Sequence, residues 1–252
     1  MDKPENSITV ETYRQLADYV DAFAGGYLNL LVVIGPAGLQ KTRLVREALE
    51  RRSVCWLEGN ATPFAIYCEL WRHRDEPVVI DDLDALYQDK AAVRLLKCLC
   101  QTEQSKTVAW NSAASLLKTE SIPQRFRTRS PVAIIANQWR TLNANVQAIE
   151  DRGHVIFFEP TPLEVHERVA QWFWDQEIFD FVGLHLHLLA RPSMRHYVLA
   201  HEKKQAGLDW RSDLLQRFVS GTARVVANLV ADRSYLSEED RVRAFTAVSG
   251  LA

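Results

Sequence analysis

The sequence has almost no net charge: 30 Lys and Arg stand against 32 Asp and Glu in 252 residues, a formal −2. No whole-molecule basic field draws it to nucleic acid, so any such contact needs a local patch. Cysteine is scarce. Cys55, Cys68, Cys98 and Cys100 include one close pair, Cys98-Leu-Cys100, with no second pair or neighbouring His set to complete a zinc site. Reduced, structural thiols are expected. The seven histidines form no H-x-x-x-H set, so no metal centre beyond a nucleotide-bound Mg²⁺ is expected. No serine or cysteine stands in a hydrolase elbow. The opening stretch MDKPENSITVETYRQ lacks a basic n-region and an apolar h-region. Apolar runs are strand-length, well short of the ~20 residues of a membrane helix. A cytoplasmic protein without a membrane partner is the expectation.

What is present is ordinary globular composition, 47% hydrophobic and 25% charged. Helical spacing of Tyr13, Leu16, Ala17 and Val20 predicts a first helix from Val10 to about Phe23, stopped by Gly25-Gly26. Five short runs then read as strands: Leu30–Ile34, Val54–Glu58, Val78–Ile80, Val132–Ala136 and His154–Glu159. They are apolar throughout rather than alternating, as strands buried on both faces are. Helical stretches at 42–52, 63–73, 84–100 and 141–150 lie between them, which predicts a parallel sheet with helices on both faces. From Pro160 the chain reads as helices only. Thr161, Pro162 and Glu164 form a capping box, and Ser237 caps a last helix. The predicted organisation is an α/β core over 1–159 with a smaller all-helical unit over 160–252.

Two stretches carry chemistry. The segment GPAGLQKT, Gly35 to Thr42, follows a buried strand and opens a helix. A phosphate loop needs that context: converging backbone N–H groups and a helix N-terminus face the anion. Gly35, Lys41 and Thr42 match the G-x-x-x-x-G-K-[ST] pattern, Gly38 adds turn freedom, and Gln40 replaces the second glycine. Lys41 is expected on the β/γ-phosphates and Thr42 on Mg²⁺. The other stretch, VVIDDLD, ends a buried strand in adjacent carboxylates. Asp81 is suited to the Mg²⁺ shell and Asp82 to orienting or deprotonating water, while Asp82 and Asp84 also suit helix capping. A glycine-rich turn entering a helix remains the plain alternative for the first stretch.

Together these motifs resemble the AAA+ ATPase family over most of the chain. GPAGLQKT looks like Walker A and VVIDDLD like Walker B. The resemblance implies ATP and Mg²⁺ as cofactors, with Gly35, Pro36, Ala37, Gly38, Leu39, Gln40, Lys41, Thr42 and Arg43 along the phosphate loop and Thr42 and Asp81 on the metal. It implies that Asn137, after VAIIA, is the sensor-1 residue, and that Arg152 in AIEDRG is a finger acting on a neighbouring subunit. RPSMRHY resembles the start of the sensor-2 helix, which points to Arg195, or to Arg191 in its place. Each arginine equally suits a surface ion pair, and Asn137 a strand-end turn. A finger in trans implies a homo-oligomer, ring or filament. The compact core-plus-lid layout resembles helicase-loader and mobile-element ATPases, which implies partner remodelling in a DNA transaction. A nucleotide switch with weak hydrolysis, or a protein-remodelling ATPase, are the alternatives.

Gln40 either distorts the loop or adopts a glycine-like geometry, and Asp82 is one methylene shorter than the family's usual Glu. Between the two acidic and asparagine motifs, QRFRTR places Arg125, Arg127 and Arg129 around Phe126. That pattern suits phosphate contact plus base stacking on DNA, or else a solvated basic loop with Phe126 in the core. The late aromatics Trp172, Phe173, Trp174, Phe179, Phe181 and Trp210 read as helix-packing core.

Overall fold

The computed structural model describes residues 3–59, 61–82, 89–111, 115–139, 151–189, 191–218, 225–226, 229–230, 234–235 and 237–249. The chain divides into two compact units, 1–159 and 160–252.

The first unit is built on a six-stranded sheet: β1 (Ile8–Val10), β8 (His154–Phe158), β2 (Leu30–Ile34), β7 (Val132–Ala136), β4 (Val78–Asp81) and β3 (Cys55–Glu58), in that spatial order. Every pairing is parallel. All five residues of β2 and of β7 are buried, so the continuous apolar runs do mark strands covered on both faces. Each buried Val, Leu or Ile among them contributes about 1.5–3 kcal/mol relative to exposure. The order interposes β7 between β2 and β4, which brings three strand ends side by side.

The flanking helices are α1 (Tyr13–Ala24), α2 (Lys41–Leu49), α3 (Pro63–Arg72), α4 (Lys90–Leu99) and the short α5 (Ser115–Thr119). The first helix begins later than its apolar spacing predicts. Residues 8–10 pair with β8, and Thr12 caps α1 in a reciprocal box with Gln15. It ends at Gly25, as expected. The described part of the helix expected over 84–100 starts at Lys90, where the Asp89 carboxylate accepts the Ala91 and Ala92 N–H bonds. Asp84 and the helix expected over 141–150 lie outside the described residues.

QRFRTR is a strand rather than a loop. β6 (Arg125–Thr128) pairs antiparallel with β5 (Lys106–Ala109), matching Val108 with Phe126. Phe126 is only 6% exposed, with ring centroids 5.5 Å from Tyr67 and 5.4 Å from Trp71. Base stacking by Phe126 is therefore corrected to core packing against α3. Arg125, Arg127 and Arg129 face solvent between buried Phe126, Thr128 and Ser130, the two-residue alternation of a half-buried strand. Lys106 is fully buried and donates to the Ser130 carbonyl at 2.8 Å. Burial lowers its pKa to about 8. The four thiols are unpaired, and burial pushes Cys55 and Cys100 up to about 12, which keeps them protonated.

The second unit contains α6 (Pro162–Val169), α7 (Gln176–Leu184), α8 (Arg195–Gln205), α9 (Trp210–Phe218) and α10 (Glu238–Ser249). Thr161 accepts the Glu164 N–H at 3.2 Å, and Ser237 accepts that of Asp240 at 3.2 Å, so both expected caps form. Its centre is aromatic. His166 stacks on Phe179 at 3.9 Å and bonds the Tyr197 hydroxyl at 2.8 Å, while Phe181 meets Trp210 edge-on at 5.2 Å. Trp174 departs from the expected core role, being 73% exposed. Asp175 is buried and caps α7. Burial alone would raise its pKa, but bonds from Lys204 and His201 and the Ile178 N–H outweigh this and hold it low.

Candidate functional site

The site assembles where β2, β7 and β4 end. β2 delivers Gly35, whose N–H donates to the Ala136 carbonyl on β7 at 3.2 Å. A side chain has no room here: a Cβ would stand 2.6 Å from the Phe158 carbonyl oxygen at the end of β8. The loop then rises through exposed Pro36 and Ala37, while Leu39 anchors it in the core at 1% exposure. Gln40 has φ 59° and ψ 22°, in the left-handed region. It adopts the glycine-like geometry at a cost of about 1–2 kcal/mol. Its carbonyl accepts the Leu44 N–H at 3.0 Å, so the helix still starts in register. The loop thus keeps its glycine-like geometry at Gln40 under strain.

Lys41 is 6% exposed. Its ammonium donates to the carbonyls of Gly35 (2.7 Å) and Pro36 (3.0 Å) and to Asn137 Oδ1 (3.2 Å). Phosphate oxygens would compete with these acceptors for the same N–H bonds. The Thr42 hydroxyl donates to Asp81 Oδ1 at 3.1 Å. Asp81 is 8% exposed, and its pKa is raised: burial dominates, the Thr42 bond opposes it, Asp82 and Glu58 add to it, and Lys41 opposes it. Asp82 sits at φ 50° with its N–H on the Ile135 carbonyl at 3.2 Å. Its Oδ1 accepts from Asn137 Nδ2 at 2.8 Å. Asn137 thus spans the cleft, accepting from Lys41 with its oxygen and donating to Asp82 with its nitrogen.

Five residues named from sequence thus meet in two neighbouring bonded groups, Lys41–Asn137–Asp82 and Thr42–Asp81, joined through the chain at Lys41-Thr42 and Asp81-Asp82. Arg43 is placed apart from it, on the exposed face of α2 in an ion pair with Glu47 at 2.7 Å. Arg152 lies at the opposite end of the sheet, just before β8, donating to the Lys97 carbonyl at 3.2 Å. Five strand residues, about 16 Å, separate the two ends, so it serves no group in its own chain's cleft. In the second unit, Arg195 is the exposed first residue of α8, its N–H on Ser193 Oγ at 3.3 Å, and Arg191 is also exposed.

Glu58 was not anticipated. It ends β3, stands in register with Asp81, pairs with Arg46 at 2.6 Å and helps raise the Asp81 pKa. The only sequence signal was an acid closing the run VCWLE. The donor set suits a small hard cation: a hydroxyl in the first turn of α2 and a carboxylate at the end of β4, beside a buried ammonium. Among the described residues no group of three His, Cys, Asp or Glu could hold another metal ion, and no helix is long and apolar enough to cross a membrane.

No family model matches the chain. It is 28% identical over 120 residues to an uncharacterised 36.7 kDa protein in the nrdC–mobD intergenic region of Enterobacteria phage T4, a match covering 44% of this chain and 37% of that protein. The chain thus matches little more than a third of that relative's length. Two point variants of RuvB from Thermotoga maritima superpose with TM-scores of 0.52 at 12% and 13% identity, each over 95% of this chain and 80% of RuvB. RuvB is an AAA+ P-loop ATPase. The parallel sheet, the loop after β2 and the C-terminal helices give this chain the AAA+ P-loop fold.

Proposed function

We propose that this protein is an AAA+ ATPase that binds and hydrolyses ATP with Mg²⁺ and works as a homo-oligomer on DNA. The network joining Lys41, Asn137 and Asp82 carries the reading, because it sets a cation, an amide and a carboxylate within hydrogen-bond reach in succession at the carboxyl ends of the strands. Lys41 and the N–H groups at the start of α2 bind the phosphates. Thr42 and Asp81 would hold Mg²⁺, which when bound neutralises charge on the phosphate oxygens. Asn137 orients the terminal phosphate against water, and Asp82 accepts the water's proton. The opposite placement of Arg152 favours action on a neighbouring copy, where a guanidinium stabilises transition-state charge. Arg195, with Arg191 beside it in sequence, is the candidate for reporting nucleotide state to the helical unit. The solvent-facing row Arg125, Arg127 and Arg129 supports a polyanionic partner.

A second reading has one specific observation behind it. Asp82 is held in the left-handed region with its carboxylate bonded to Asn137, which ties up the oxygen that would take the water's proton and favours a nucleotide switch with slow turnover. ATP turnover by wild type and by Asp82→Ala separates the two. The ATPase reading expects a loss of about a hundredfold, as removal of a general base produces, with ATP affinity kept. Equal background rates in both would leave the switch.

A further inference from the structure

The sheet has a second opening at the other end of its strands. A cavity of about 510 Å³ lies at the amino ends of β2, β4 and β7 and beyond α4, lined in part by Tyr27, Asn29, Arg52, Thr102, Gln104 and Arg129. Tyr27 is 86% exposed. Its ring lies over Gly25, where an added Cβ would stand 2.7 Å from the ring carbon Cε2. Glycine there leaves the aromatic surface its place at the rim. Arg52 and Arg129 are exposed, and among the described residues neither holds a carboxylate in an ion pair. The acid on the cavity wall, Asp75, is paired with Arg74 at 3.8 Å.

The cavity is continuous with the arginine row. Arg125, Arg127 and Arg129 alternate outward along β6 and just past it, so their Cα atoms repeat every two residues, about 6.7 Å. That step is comparable to the spacing of phosphates along an extended nucleic-acid strand. The last arginine of the row is a wall of the cavity, which adds an aromatic, a further cation and the polar side chains of Asn29, Thr102 and Gln104. A positive track joined to an exposed ring is how single strands are bound without sequence readout.

We propose that this track and cavity bind single-stranded nucleic acid, with Arg125, Arg127, Arg129 and Arg52 on successive phosphates and Tyr27 stacking on a base. This deepens the DNA assignment above and rests on it. It also moves the stacking role from buried Phe126 to Tyr27.

The test is fluorescence anisotropy of a labelled oligothymidylate of on the order of 20 nucleotides, longer than one such footprint. The full chain is titrated without nucleotide between about 50 and 200 mM salt. Wild type should bind in a salt-dependent way. Arg52→Ala with Arg129→Ala should weaken binding at least about tenfold and flatten the log K against log salt slope by about 1.4, at ~0.7 per lost phosphate contact. Tyr27→Ala should cost about fivefold or more at unchanged slope, with Tyr27→Phe restoring wild-type affinity. Circular dichroism checks that each variant is folded. Unchanged binding in the variants overturns the proposal, as does thymidine monophosphate binding as tightly as the oligomer. Variants that lose self-association but keep strand binding also overturn it, since the surface then contacts protein. A parallel titration with a fluorescent ATP analogue separates the failures: ATP binding without strand binding sinks this proposal alone, and strand binding without ATP binding sinks only the nucleotide reading.

Discussion

The two ends of one parallel sheet are built in opposite ways. At the carboxyl ends, the polar groups are few and bonded to one another: Lys41 and Asp81 are buried, at 6% and 8% exposure, and two non-glycine residues, Gln40 and Asp82, hold positive φ. At the amino ends, Arg52, Arg129 and Tyr27 are exposed and lightly held. The contrast follows from chemistry. A compact triphosphate with its metal rewards donors fixed in place beforehand, at the cost of desolvation and backbone strain. A long flexible strand rewards spaced cations and an open ring. The same strands position both ends, so the comparison can be broken one end at a time.

The largest effect is expected from Arg152, which the sheet sets across from its own cleft. Arg152→Ala should lower turnover by at least about a thousandfold, the lower end of the range for loss of an arginine finger, and leave ATP affinity unchanged. Mixing it with Lys41→Ala should recover part of the turnover, since each copy supplies what the other lacks. No recovery on mixing would remove the action in trans. Next in size is Asp81→Asn. It should abolish the Mg²⁺-dependent part of ATP affinity, about tenfold or more, while raising the melting temperature of the nucleotide-free protein by relieving a buried charge. A fall in melting temperature would contradict the burial argument.

The same carboxyl predicts a pH dependence. Its folded pKa is raised, mainly by burial, so between the unfolded and folded values the folded state binds the extra proton. Stability of the nucleotide-free protein is therefore lost as pH rises through the raised value, and Mg²⁺-dependent ATP binding strengthens over that window. Thermal melts with and without Mg²⁺–ATP across acidic pH check the sign, and Asp81→Asn should flatten both trends. The smallest effect belongs to Gln40. Gln40→Gly relieves the left-handed strain but loosens the unfolded chain, leaving a gain of up to about 1 kcal/mol, whereas Gln40→Val should lose about that much. Denaturant midpoints measure both.

Legibility from sequence follows the same divide. The five apolar runs were plain because both faces of each strand are covered. β1 was not, because only Val10 of its three residues is buried, and its apolar character merged with the helix that follows. The run before Trp110 reads as β-like and is β5, but its pairing with β6 was obscured by the long segment joining them, which carries no hairpin signal. The partners of Phe126, Tyr67 and Trp71, are supplied by α3, far away in sequence. Lys41, Thr42 and Asp81 could be read from motif spacing. That Asn137 would touch both Lys41 and Asp82 could not, since it depends on β7 lying between β2 and β4, a fact of strand order. Glu58 was missed for the same reason: its bearing on Asp81 arises from the register of β3 with β4.

Calorimetric titration of Mg²⁺–ATP into wild type and Lys41→Ala tests the central claim most directly. The ammonium's charge-assisted bonds to phosphate are worth about 1.5–3 kcal/mol each, so saturable one-site binding by wild type should weaken by at least about tenfold in the variant. Equal heats and equal affinity in the two proteins, or no saturable binding in either, would contradict it.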